Sequence, residues 1–183
     1  MGRGARRRGR GRHPGGRRCA ARRGWVLTRF TAGTSAQAVV DAERSAIWDV
    51  LVDPGLLPKL TPLLSRIEAD GDHWRWHLVR LKVLGVGISP VFTERMTFVD
   101  KQRIEFTHEP PPGVSEWAGA EGRYELSDVE GGTNLAIDLH LAVDMPLSRL
   151  ATPVVTRTMQ ATMQMMGDRF TANLLRELDA QQR

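Results

Sequence analysis

An α+β domain, built on one antiparallel sheet and closed by a long C-terminal helix, is the fold class that this sequence predicts. Three observations predict it. Segments of period-two alternation follow one another from Leu64 to Val143 with no helical pattern between them. Two short helical patterns stand between a first strand and that series. Near the end, Val155, Met159, Met163, Met166, Phe170 and Leu174 recur at spacings of 4, 4, 3, 4 and 4, the stripe of an amphipathic helix.

The elements follow in order. Thr34 to Val40 reads as the first strand. After Asp41-Ala42-Glu43, the positions of Ala46, Ile47, Val50 and Leu51 predict a short helix. Asp53-Pro54-Gly55 ends it, because a residue before proline is steered away from α geometry. Leu56 to Leu60 makes a second short helix before Thr61-Pro62. Leu64 to Ala69 and His73 to Lys82 are strands joined at Asp70-Gly71-Asp72, with Trp74, Trp76 and Leu78 on one face and a bend at Gly85 and Gly87. Val91 to Val99 puts Phe92, Glu94, Met96 and Phe98 on one face and Thr93, Arg95 and Thr97 on the other. Arg103 to His108 follows, then a stiff Pro110-Pro111-Pro112-Gly113 loop. Ala118 to Val129 and Thr133 to Val143 form a hairpin. The second of these carries Leu135, Ile137, Leu139, Leu141 and Val143 on one face and Asp138 and His140 on the other, an antiparallel sheet with one wet side. The last helix runs from Ser148, a suitable N-cap, to Leu178, with Pro153 disturbing its first turns.

Charge is divided unevenly. Residues 1–24 hold ten arginines and no acid. Of 26 basic residues, 16 therefore stand against 21 acidic ones in residues 25–183, a net charge of −5. The basic balance belongs to the N-terminal segment, and the rest has no nucleic-acid footprint of its own. Arg, Gly and Ala without large apolar side chains predict disorder for 1–24. No apolar stretch follows its Arg pairs, which argues against a secretory signal. Three readings stand for it: it binds RNA, DNA or an anionic surface, it is an inert extension, or translation starts later, at Val26 or Leu27. The lone Cys19 excludes a disulfide framework and suits a reducing, cytoplasmic setting. No apolar run approaches the ~18 residues of a membrane span. The histidines show no metal-ligand spacing, and Gly85-Val86-Gly87 lacks the rest of a nucleotide fingerprint. No metal, cofactor or oligomeric state is implied.

The order strand, two short helices, six strands, long helix, together with Val40 to Pro54, resembles the START-like superfamily, also called SRPBCC or polyketide cyclase/dehydrase. In that family a strand runs into a-x-x-x-[VI]-[WF]-x-x-[LI]-x-D-P. Ile47, Trp48, Leu51, Asp53 and Pro54 match it, and Phe92 to Met96 and Gly122 to Leu126 look like its middle strands. The resemblance covers residues 31–178. It implies a helix-grip fold, in which a curved seven-stranded sheet wraps the long helix around a cavity. It also implies an apolar ligand such as a lipid or polyketide. Some members are cyclases or dehydratases and others only bind or carry, so the motifs, which are structural, leave enzyme and binder both open.

Glu94 is the foremost candidate site residue. A carboxylate among Phe92, Met96 and Phe98 needs a partner or a raised pKa. It is either a general acid or base, a group that orients a polar ligand end, or a sheet-end carboxylate that reaches solvent or an arginine. His108, on the face of Ile104 and Phe106, is either an acid/base group or a strand cap. Tyr124 either donates to a ligand or makes a structural hydrogen bond. Trp74, Trp76, Phe92, Phe106, Met159, Met163, Met166 and Phe170 are core or ligand wall, and thioethers suit a wall that adapts.

Overall fold

The computed structural model describes residues 27–83 and 86–180. The Arg-rich segment 1–24, Cys19, the Val26 start and the Gly85 half of the expected bend lie outside the described residues. β1 (Thr28–Val40), α1 (Arg44–Leu51) and α2 (Leu57–Leu60) come first. β2 (Leu64–Asp70), β3 (His73–Leu78), β4 (Leu81–Val83), β5 (Val86–Ile88), β6 (Val91–Val99), β7 (Arg103–His108), β8 (Ala118–Val129) and β9 (Gly132–Met145) follow. A 3₁₀ turn at Arg149–Ala151 leads into α3 (Thr152–Glu177). The main sheet is antiparallel with the order β1-β9-β8-β7-β6-β3-β2, and β4 and β5 form a separate two-stranded ribbon.

Two strands depart from the expected boundaries. β1 begins six residues earlier than its apolar alternation, because β9 supplies a partner for each residue back to Thr28. Phe30 and Ala32 in that extension are buried core residues. The expected strand from His73 to Lys82 breaks after Leu78. The Leu78 N–H donates to the Pro90 carbonyl, and Pro90 has no N–H with which to continue the ladder. Chain beyond Leu78 folds back on itself as the β4–β5 ribbon.

The start of the long helix is as its sequence requires. Ser148 Oγ accepts from the Leu150 N–H, and Pro153 sits in the first turn of α3, where a missing N–H costs nothing. Val155, Met159 and Met163 of α3 pack on Phe30, Ala32, Phe92, Ala120 and Val143 in a first cluster. Ile47, Trp48 and Leu51 of α1 pack on Trp74, Met96, Ile104, Phe106 and Leu126 in a second. Leu174 joins Val50 and Leu60 in a third, tying the end of α3 to α1 and α2. At Gly122 of β8 a side chain would run into the Asp138 carbonyl and the Phe106 ring.

Trp48 is 7% exposed and meets Phe98 edge-on, ring centroids 6.3 Å apart. Trp48→Ala should therefore cost about 3–5 kcal/mol in chemical denaturation. A loss below about 1 kcal/mol would mean that α1 does not clamp the sheet.

Candidate functional site

β6 supplies the central side chain. Its alternation turns Phe92, Glu94 and Met96 inward, and all three are buried. Register sets Trp76 of β3 opposite Phe92, Trp74 opposite Glu94, and Phe106 of β7 opposite Met96. Glu94 is only 3% exposed and meets no cation and no hydrogen-bond donor among the described residues. Burial therefore pushes its pKa well above the ordinary carboxylate value.

Two further polar groups on this face have unmet capacity. The Tyr124 hydroxyl of β8 makes no hydrogen bond among the described residues, so the structural bond considered from sequence is absent there. Its phenol pKa is raised, first by burial and then by the charge of Glu94. Trp76 Nε1 is buried without a partner. Such groups are expensive unless something meets them. Aromatic rings flank them, with Trp74 and Trp76 centroids 6.1 Å apart and Phe106 and Tyr124 5.9 Å apart.

The remaining predicted wall residues divide between the clusters. Phe92, Met159 and Met163 are buried in the first, and Trp74 and Phe106 in the second. Met166 and Phe170 are half-buried. Trp76 and Leu139, each partly buried, touch both clusters and mark the strip between them. Leu141 and Tyr124 on the same sheet face are likewise only half-buried. Neither of two surface grooves among the described residues is an enclosed cavity between sheet and helix. One of about 430 Å³ lies on the outer face by Arg123, Glu125 and Asp138. The other, about 370 Å³, opens between Gly87–Val91 and Val114–Ala118 and reaches the inner-face residue Val143.

His108 departs from the face that alternation assigns to it. Its backbone pairs with Glu94, yet its ring lies where a side chain on Gly119 would project. Gly119 belongs to the outer row, between buried Ala118 and Ala120. The ring is drawn there by Glu116, whose Oε2 is 3.0 Å from His108 Nε2. Glu94 and His108 thus occupy opposite sides of the sheet and do not form one acid/base pair.

Glu116 itself escaped the sequence reading. Its side chain is 4% exposed, and it accepts from the Thr93 N–H at 2.7 Å and the Thr93 hydroxyl at 2.8 Å. The carboxylate takes the place of a strand carbonyl beyond the end of β7, latching the β7–β8 connection to β6. Thr93, which alternation assigns to the solvent face, is buried by this latch. A Pro/Gly-rich loop gave no signal for it. Among the described residues, no three His, Cys, Asp or Glu side chains gather as a metal site, and no helix is long and apolar enough to cross a membrane.

Two measurements test this geometry. Because the folded pKa of Glu94 is raised, the native state holds more protons than the unfolded one from about pH 4.5 upward to that raised value. Stability should fall with rising pH across that window, by at most about 1.4 kcal/mol per pH unit. Glu94→Gln should flatten the fall and melt higher than wild type on its alkaline side. Equal pH profiles for the two proteins would mean that Glu94 is solvated or paired. Glu116→Ala should cost about 1–3 kcal/mol for each buried Thr93 donor it strands. A stability unchanged from wild type would dissolve the latch.

The chain matches the family model described as "Polyketide cyclase / dehydrase and lipid transport" over residues 31–175. No curated protein matches it. Among solved structures it is similar to the Zhui aromatase/cyclase from Streptomyces sp. R1128, at 13% identity and a TM-score of 0.56, covering 83% of this chain and 94% of that one. A START superfamily protein from Mycobacterium smegmatis is similar at 15% identity and a TM-score of 0.54, covering 81% and 97%. The di-domain ARO/CYC StfQ of the steffimycin biosynthetic pathway is similar at 10% identity and a TM-score of 0.57, and this chain spans 51% of its length. At these identities the structures speak for the fold alone, while the family model covers most of the chain, and the chain belongs to the polyketide cyclase/dehydrase and lipid transport family.

Proposed function

We propose that residues 31–178 bind an apolar small molecule, with a neutral hydroxyl or carbonyl end, between the sheet and α3. The observation that carries this reading is Glu94, a carboxyl buried in an apolar face with no partner among the described residues. Desolvation favours its protonated form, which offers one O–H donor and an acceptor oxygen to such a group. Tyr124 and Trp76 Nε1 add a hydroxyl and a donor on the same face. An anionic ligand end is disfavoured, because it would press against a group that already resists charge. The half-buried strip of Trp76, Leu139, Leu141 and Tyr124 supplies apolar surface for the ligand to cover.

A second reading has an observation of its own. A carboxyl with a raised pKa and a tyrosine that feels its charge form an acid/base pair suited to cyclising or dehydrating a ligand. In a dehydration, the ionised carboxylate would take the proton next to a carbonyl, and the phenol would protonate the departing hydroxyl. The nucleic-acid reading of residues 1–24 rests on their arginines alone.

β-Naphthol and naphthalene are a suitable probe pair, since they differ by one hydroxyl. Quenching of tryptophan fluorescence should show β-naphthol binding about tenfold more tightly, the worth of roughly one hydrogen bond. Glu94→Leu should remove that preference while leaving naphthalene binding in place. No binding of either probe, or a preference that survives Glu94→Leu, would sink the reading. Loss of water from a β-hydroxyketone, abolished by Glu94→Gln, would move the assignment from binder to catalyst.

A further inference from the structure

The two ends of the sheet differ in what they present to the surroundings. At one end β1 begins, β9 finishes and α3 starts. Of the nine exposed large apolar residues among those described, six lie there: Leu27, Val79, Val114, Trp117, Leu150 and Val154. Leu150 is 91% exposed in the 3₁₀ turn, Val154 follows in the first turn of α3, and Trp117 is 56% exposed beside the β9 terminus.

Cations surround them. Arg29, Arg80, Lys82, Arg149 and Arg157 are exposed and form no ion pair among the described residues. Elsewhere Arg44, Arg66, Arg95, Arg103 and Arg123 are each paired with an acid, while Lys101, Arg169 and Arg176 form no ion pair among the described residues. From Met145 to Gly167 the chain has no acid at all. The acids nearest this end include Glu109, taken up by His73 and Arg95, Glu116, buried in its latch, and half-buried Asp144 opposite Arg29, with exposed Glu121 further along β8. Residues 25–183 carry a net charge of −5, yet this end presents five exposed cations without an acid partner. The ten arginines of residues 1–24 precede Leu27, which also lies at this end.

We infer that this end docks on an anionic lipid bilayer surface. Protruding Leu150 and Val154 enter the headgroup–acyl boundary, Trp117 lies at the interface, and the unpaired cations meet lipid phosphates. Apolar contact and basic residues together satisfy the two-signal requirement of stable peripheral binding. A nucleic acid would use the cations and leave the apolar residues without purpose. A second copy would set like charges against each other. The groove between Gly87–Val91 and Val114–Ala118 opens at this same end, so docking faces it toward the bilayer.

Co-sedimentation of the full chain with vesicles tests this without any knowledge of an interior ligand, so its failure and that of the ligand reading are separate. Phosphatidylcholine vesicles containing about one-third phosphatidylglycerol should bind the protein, pure phosphatidylcholine should bind it more weakly, and added salt should narrow the difference. The double variant Leu150→Asp/Val154→Asp should partition about tenfold less. Val129→Asp, an exposed position at the opposite end, should partition like wild type, with circular dichroism unchanged in both. The inference falls if wild type ignores anionic vesicles. It falls too if the double variant binds equally, since the arginine-rich segment would then suffice. A wild-type dimer that dissociates in the double variant, with no vesicle binding, would assign the patch to a second copy instead.

Discussion

A sheet of seven strands about 4.8 Å apart is roughly 29 Å across, whereas a helix with its side chains is about 10–12 Å wide. One helix cannot cover the apolar face of such a sheet. α3 covers β1 and the neighbouring ends of β9 and β8, burying Phe30, Ala32 and Val143 beneath Val155, Met159 and Met163. α1 and α2 cover the opposite flank, over Trp74, Met96 and Ile104. The strip that neither flank covers fully carries Trp76, Leu139 and Tyr124, and Glu94 lies beside it. The two short helices, which carry no chemistry, are therefore what confines the uncovered region to a strip.

Glu94 is costly within this arrangement. Its desolvation is uncompensated by a cation, and its charge, when present, also works against ionisation of Tyr124. A leucine at this position would pack without that cost. The latch on the other face is the opposite case, because Glu116 receives two Thr93 donors and lies against His108 Nε2. Both carboxylates are buried, but one is satisfied by its own chain and the other is left with capacity to spare. A group of the second kind is where a ligand gains by binding, since it supplies hydrogen bonds that the fold withholds.

Much of this was legible in the sequence, for definable reasons. Period-two alternation placed Glu94 inward because β6 is a central strand, paired on both sides, so its register holds over nearly its whole length. The same rule failed for His108, the last residue of β7, whose ring follows the Glu116 carboxylate of the β7–β8 connection. It failed for Thr93 because the covering group comes from a loop 23 residues away, and alternation describes a strand's own faces but not what lies over them. The early start of β1 was hidden by a Thr, Ala and Gly-rich segment whose strand character comes from β9 and not from its own side chains. The Trp48 motif was readable because it fixes local structure. Nothing comparable marks the ligand strip, which exists only once distant strands are brought side by side.

The connections give the two ends of the sheet different physical characters. At the end where α1 begins, strands are joined by short turns, with Gly71, Lys101, Gly131 and Gly132 at positive φ. Such turns set register and leave little surface free to change. At the other end lie the β4–β5 ribbon, the proline-rich β7–β8 connection and the 3₁₀ turn before α3. Longer connections can be held open or shut by a few contacts, and the Glu116 latch is one such contact, placed at the rim of the groove between them. The first cluster of core residues lies directly behind that groove, with Ala118 and Val143 common to both. Opening the β7–β8 connection would therefore expose core packing between sheet and α3 without disturbing the short turns that fix the strands. The long helix, which begins at the end of these longer connections and is anchored by Leu174 near α1 and α2, joins the two ends.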